Sequence, residues 1–258
     1  MNKEWESISI KLLISLIFSL VFIGITYLLR LYLRTDTLIA DASGLGLFTS
    51  IFGTLYGILM AFIIFEVWAQ FNKTSQLFDT EAVGLERLYR LTLYFRKPSL
   101  SLEMKAAIKK YIEAVSLDFN KLRLGERGKM SGKIFRELSK VIRTINIKTD
   151  REKIVFQRMM ESYGHLTDVR VERISQSLTR LPTLLKVFLY LSSFFVLLTF
   201  LVMPFASLMY SLLSTGMFSF ILAMIFQIVE DLDNPFTGFW SLTPEPYERT
   251  LKHIEEDY

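Results

Sequence analysis

A chain of 258 residues with 51% hydrophobic side chains, a positive mean hydropathy, a formal charge of +4 and no cysteine carries more apolar surface than a soluble core can absorb. The missing cysteines exclude disulfides and thiolate metal sites. No Asp, Glu, Lys or Arg occurs from Leu12 to Leu29, from Ser43 to Phe65 or from Val187 to Val229, which excludes an ordinary soluble domain.

A helix crossing about 30 Å of hydrocarbon needs roughly 20 residues. The first two gaps therefore predict spans over 8–29 and 44–65. The third gap is too long for one rod and predicts two spans, 187–209 and 212–229, turning in the cluster from Tyr210 to Gly216. Pro204 then falls inside the third span, as a hinge or as a tolerated packing kink. The first apolar run exceeds a signal-peptide core of about 7–15 residues and no small-x-small cleavage site follows it, so it reads as an uncleaved anchor. Trp5, Tyr27 and Tyr32 stand where interfacial rings belong, and Asp36 to Ser43 reads as a short polar loop. Within the second span Thr49, Gly53, Gly57 and Ala61 form a stripe of small residues, the pattern by which membrane helices pack closely.

Past Phe65 the helical pattern continues through Glu66, Gln70 and Lys73, predicting one long helix to about Phe95, with Pro98 ending it. Next, Ile108, Ile112, Val115, Phe119 and Leu122 repeat at 4-3-4-3 spacing, one apolar stripe of a helix. Gly125 and Gly128 break it, a short helix spans Lys133 to Ile145, and Thr149 with Glu152 three residues on forms a capping box. The helix it opens runs through Val155, Met159, Tyr163 and Leu166 to Leu181, before Pro182. No strand-like alternation occurs. Residues 66–186 hold 24 Lys and Arg against 14 Asp and Glu, and Lys73, Arg87, Arg170, Arg173, Arg180 and Lys186 near the spans place this segment on the cytoplasmic side. The expected fold is all-α: a four-transmembrane-helix protein of the inner membrane, with a cytoplasmic helical domain (66–186) inserted between hairpins 1–65 and 187–229. A cytoplasmic segment 230–258 follows, so both termini lie inside.

Little supports an enzyme. The histidines, His165 and His253, are far apart, and no dinucleotide or phosphate-loop motif occurs. Gly128-Lys129-Met130-Ser131-Gly132-Lys133 has the wrong spacing for a phosphate loop and reads as a surface loop; His165 reads as a solvated or capping residue. No cofactor is implied. The absence of charge inside the predicted spans argues against proton coupling and is compatible with a channel, which can gate by dewetting of a hydrophobic constriction. In the basic segment acids are interleaved with the cations, which fits a solvated face near anionic lipid rather than nucleic acid.

After the fourth span, Glu230, Asp231 and Asp233 bunch before Asn234, Pro235 and Phe236, a turn-forming sequence. Such a turn can gather oxygens around calcium, which takes about 6–8 of them; the other reading is that the acids cap neighbouring helices.

The run Asp231-Leu-Asp-Asn-Pro-Phe-Thr-Gly followed by Leu242-Thr-Pro-Glu-Pro resembles the C-terminal signature of the bacterial bestrophin-like membrane proteins, relatives of the bestrophin channels. The stretches Gly53-Thr-Leu-Tyr-Gly57 through Phe71 and Asp79-Thr-Glu81-Ala82 to Leu91 resemble that family's second span and the helix after it, and the likeness covers most of the chain. It implies a homo-oligomer, pentameric in the bestrophins, with second spans around an axial ion path that continues through the cytoplasmic helices. Thr49, Ser50, Gly53, Tyr56, Gly57, Met60 and Ile64 would line the pore, with Glu66 and Glu81 on the cytoplasmic pathway. In those channels an Asn-Pro-Phe-Gly segment precedes a calcium-binding acidic run. Here the acids come first, so Glu230, Asp231, Asp233, Asn234, Pro235 and Phe236 are candidates for gating or cation binding. The implied function is passive conduction of inorganic ions by an oligomer in lipid. Two rivals stay open: a proton-channel stator, with which Pro204 and a single-span partner would fit, and a non-conducting scaffold whose small-residue stripe only packs.

Overall fold

The computed structural model describes residues 2–33 and 41–256, apart from the side chains of 2–7 and 33. The Trp5 ring and most of the expected Asp36–Ser43 loop lie outside the described residues. In chain order the helices are α1 (Asn2–Leu33), α2 (Ala42–Leu93), α3 (Pro98–Arg123), α4 (Met130–Arg143), α5 (Asp150–Ser177), α6 (Thr183–Val202), α7 (Leu208–Asp233) and α8 (Glu245–Glu256), with no strand among the described residues. Four of them, α1, α2, α6 and α7, are long and apolar enough to cross a membrane. The chain divides into two compact units, residues 1–69 with 180–233 and residues 70–179 with 234–258, and α2 contributes to both.

In the first unit α1 packs along α7. Gly216 permits this approach, since a Cβ there would stand 2.7 Å from Ile23 Cδ1, and the Ser19 hydroxyl donates to the Gly216 carbonyl at 2.7 Å. Gln227 Nε2 donates to Ser15 Oγ at 2.7 Å, and Arg30 donates to Ser211 Oγ at 2.8 Å and to the Met203 carbonyl at 2.6 Å. Ser15, Ser19, Thr26, Ser192, Ser193, Ser211, Thr215 and Ser219 are all buried, while Leu13, Ile17, Leu20, Phe62, Phe65 and Phe194 are exposed. Helices satisfy their own backbone, so hydrocarbon accepts them, and small hydroxyl residues then join helix to helix.

The break between the third and fourth apolar helices falls at 203–207, ahead of the Tyr210–Gly216 cluster, and Pro204 ends α6 instead of lying within a span. The cause is local: the ring of Pro204 crowds the residue before it, and Met203 is extended at φ −63°, ψ 127°. Ser211, Thr215 and Gly216, free of turn duty, face inward from α7.

The second unit is built the ordinary way. The α3 stripe Ile108, Ile112, Val115, Phe119 and Leu122 is buried with Leu85 and Leu88 of α2, Leu138 and Ile142 of α4, and Met159 and Leu166 of α5. Phe236, Tyr247 and Ile254 complete this core from the C-terminal end. Gly84 admits the α5 side chain Leu166, whose Cδ1 would lie 2.9 Å from a Cβ at that position. Pro98 opens α3 after an extended Lys97, and the Thr149–Glu152 capping box opens α5 with both of its bonds formed. That helix ends at Ser177, short of Leu181.

Candidate functional site

The candidates on α2 divide by face. Tyr56 and Met60 turn into the first unit with Ile63 and Val67, all buried, and the Tyr56 hydroxyl shares a 2.6 Å hydrogen bond with Ser193 Oγ of α6. Thr49, Gly53 and Ile64 are half-buried; Ser50 and Gly57 are exposed. Together with Thr54 and Ala61, Ser50 and Gly57 make an exposed run of small side chains at 4-3-4 spacing, bordered by exposed Leu47, Ile51, Leu55, Ile58 and Phe62. A Cβ added at Gly53 or at Gly57 would meet nothing within 4 Å. The hydroxyls of Thr49 and Thr54 bond back to the carbonyls of Leu45 and Ser50, both at 2.8 Å, which removes their need for water. Glu66 is exposed just past the apolar stretch.

The three acids at the end of α7 each have partners in the same unit. Asp231 pairs with Lys11 of α1. Asp233 pairs with Lys186 of α6 at 2.6 Å and accepts the Leu181 amide at 2.5 Å. Glu230 accepts the Tyr190 hydroxyl and lies 4.0 Å from Lys186. Among the described residues no three His, Asp or Glu side chains gather in a form that would hold a metal ion.

In the second unit, the Asn234 side-chain oxygen accepts the Phe236 amide at 3.3 Å, and the Asn234 amide donates to the Arg123 carbonyl at 3.4 Å. This side-chain-to-backbone turn is what Asn before Pro favours. The Thr237 amide bonds the Asn234 carbonyl, the Leu242 amide bonds the Pro235 carbonyl, and Gly238 takes the positive φ of 81° that reverses the chain. The turn delivers the Phe236 ring, 1% exposed, edge-on to Phe78 and Phe119.

Glu81 lies in that same core, fully buried. Its carboxylate pairs with the Arg173 guanidinium of α5 and accepts the Tyr111 hydroxyl of α3. Arg173 also stacks over the Phe78 ring at 4.9 Å. Burial, and then the neighbouring Glu81 charge, push the Tyr111 pKa far above the ordinary phenol range; Tyr247 is raised mainly by burial. Burial alone would lower Arg173, but the Glu81 charge prevails and holds it firmly protonated.

Sequence reasoning missed Lys11, Lys186, Tyr190, Arg173, Tyr111 and Ser193 as partners. Each stands far along the chain from the residue it serves, and no local periodicity signals such a pair.

A family model described as Bestrophin-like domain matches residues 16–247. Among curated proteins no match is found. Solved structures share the fold. A point variant of a bacterial bestrophin homologue from Klebsiella pneumoniae superposes with a TM-score of 0.71 at 16% identity, covering 97% of this chain and 99% of that one. Another structure of that bestrophin homologue gives 0.68 at 15% identity, covering 97% of each. A protein described only as a membrane protein gives 0.71 at 16%, covering 96% of this chain and 98% of its own.

Proposed function

The chain belongs to the bestrophin-like family, and from that premise we propose that it assembles into an oligomeric, passively conducting ion channel of the inner membrane. In this reading copies of α2 surround an axial path, five-fold by analogy with the bestrophins, and the basic central segment and both termini face the cytoplasm. The carrying observation is the exposed run Ser50, Thr54, Gly57 and Ala61, with open space beside Gly53 and Gly57. Lipid tails favour large apolar side chains, which border this run on α2. Small and hydroxyl-bearing residues suit a neighbouring backbone or a narrow wet path. On this reading Ser50 and Gly57 line the path, Thr49, Gly53 and Ile64 flank it, and Tyr56 and Met60 hold the lining helix against α6. Lys11 and Lys186 brace the acidic end of α7, and the Asn234–Phe236 turn anchors the segment after it.

Purified oligomer in planar bilayers should pass current, and Gly57→Leu should cut that current severalfold while leaving the protein folded. Sealed bilayers containing well-folded oligomer would overturn conduction. They would favour the second reading that the same glycines allow, a non-conducting assembly in which α2 copies simply pack closely.

A further inference from the structure

Within the second unit, the sequence from Arg127 to Lys133 does more than cross a surface. Gly128 and Lys129 form the approach to α4, Met130 begins the helix, and an open cavity of about 590 Å³ lies beside them, lined by Arg127, Lys129, Lys133, Arg136 and Arg170 and by no carboxylate. The first four are exposed, and among the described residues none of the five forms an ion pair. Acids stand around the cavity but not in its lining: buried Asp118 accepts the Ser131 amide at 2.9 Å, and exposed Glu126 and Glu137 are chain neighbours of Arg127 and Arg136.

The position of Arg170 is fixed rather than incidental. Its guanidinium stacks over the Phe135 ring at 4.9 Å, its Nε is buried with no hydrogen-bond partner, and its Nη2 would lie 3.2 Å from a Cβ at position 132, a place that Gly132 leaves open. Gly128 has a comparable role, since a Cβ there would fall 2.2 Å from Asp118 Cγ. Gly132 thus lets the start of α4 close on a guanidinium held by an aromatic face, while Gly128 lets the approach to the helix close on the Asp118 carboxylate. Five cations held together repel one another, and an anion entering among them relieves that repulsion while collecting charge-assisted hydrogen bonds.

We propose that this cavity binds a phosphate-bearing anion with more than one phosphoryl charge, either a soluble polyphosphate compound or the headgroup of an acidic lipid. A single phosphate carries about two negative charges at neutral pH, too few to balance five cations, and the cavity has room for more than one such group. The proposal stands apart from conduction and survives if the bilayers stay sealed.

The test uses full-length protein in detergent, titrated calorimetrically with inorganic pyrophosphate and, separately, with a short-chain acidic lipid whose headgroup bears two phosphates, below its micelle concentration. Saturable binding that weakens with added salt is expected for at least one of them. The tighter of the two identifies the source, soluble or lipid. Lys133→Ala with Arg136→Ala, both at exposed positions, should weaken that binding by at least about tenfold, the loss of two charge-assisted contacts. Arg151→Ala with Lys153→Ala removes the same charge elsewhere and should leave it within about twofold. No saturable binding of either probe, or equal losses in the two double variants, would overturn the proposal.

Discussion

The two units solve opposite packing problems with the same secondary structure. The first hides hydroxyls and shows hydrocarbon: Ser15, Thr26, Ser211, Thr215 and Ser219 are at 0% exposure or close to it, while Phe62 and Phe65 are more than two-thirds exposed. The second hides Phe78, Tyr111, Leu138 and Tyr247 and turns its lysines and arginines outward. A membrane interior gains nothing from burying Leu against Leu, so small polar residues become the joints there. In water the apolar area removed drives assembly, at about 25 cal/mol per Å². The exception in the second unit, the buried Glu81–Arg173 pair, is also where a polar group costs most if left alone.

That exception offers the largest expected effect. Arg173→Met strands the Glu81 carboxylate and should destabilise the second unit by about 3–5 kcal/mol, read as an earlier denaturant midpoint for that unit. The double variant with Glu81→Leu should recover most of the loss. If Arg173→Met alone is neutral, the pair does not hold the core as described. Next in size is the first unit's joint: Gly216→Val forces Ile23 aside and should cost about 1–3 kcal/mol, measured as a lower thermal midpoint in detergent. An unchanged midpoint would show that α1 and α7 need no such close approach.

The smallest effect at neutral pH is the tyrosine one. Tyr111 and Tyr247 have folded pKa values raised above the ordinary phenol. Below about pH 10 both are protonated, folded or unfolded, and their contribution to stability is fully present. Above it the unfolded chain releases protons that the folded core retains, so stability should fall as pH climbs. Tyrosinate absorbance should therefore show two phenols ionising only with loss of helicity. Smooth titration of all the tyrosines before any helix is lost would break the contrast between a dry second core and its surface.

Much of the helical plan was legible because its signals are local. The Ile108–Leu122 stripe, the Thr149–Glu152 box and the Pro98 boundary each lie within a few turns of the residues they govern. The second break was misplaced because Ser211, Thr215 and Gly216 carry turn chemistry in water and packing chemistry in lipid, and only the neighbouring α1 distinguishes the two. On α2 the period was legible but the face was not, since Ser193 decides it from far along the chain. Asn234 and Phe236 were singled out by their motif, yet the motif does not disclose that the ring enters the core beside Phe78. Glu81 likewise gives no local sign of the arginine that neutralises it.

The second core borrows Phe236, Tyr247 and Ile254 from beyond α6 and α7, and this dictates the order of events at the ribosome. At about 5–20 residues per second, Phe236 emerges on the order of ten seconds after Phe119. Until then the nascent chain must carry an unfinished aromatic socket while two more apolar helices, α6 and α7, are made. Completion of the second core is thereby made to wait for the C-terminal segment, and a polypeptide arrested before its last helix would lack the Tyr247 and Ile254 side chains that close it.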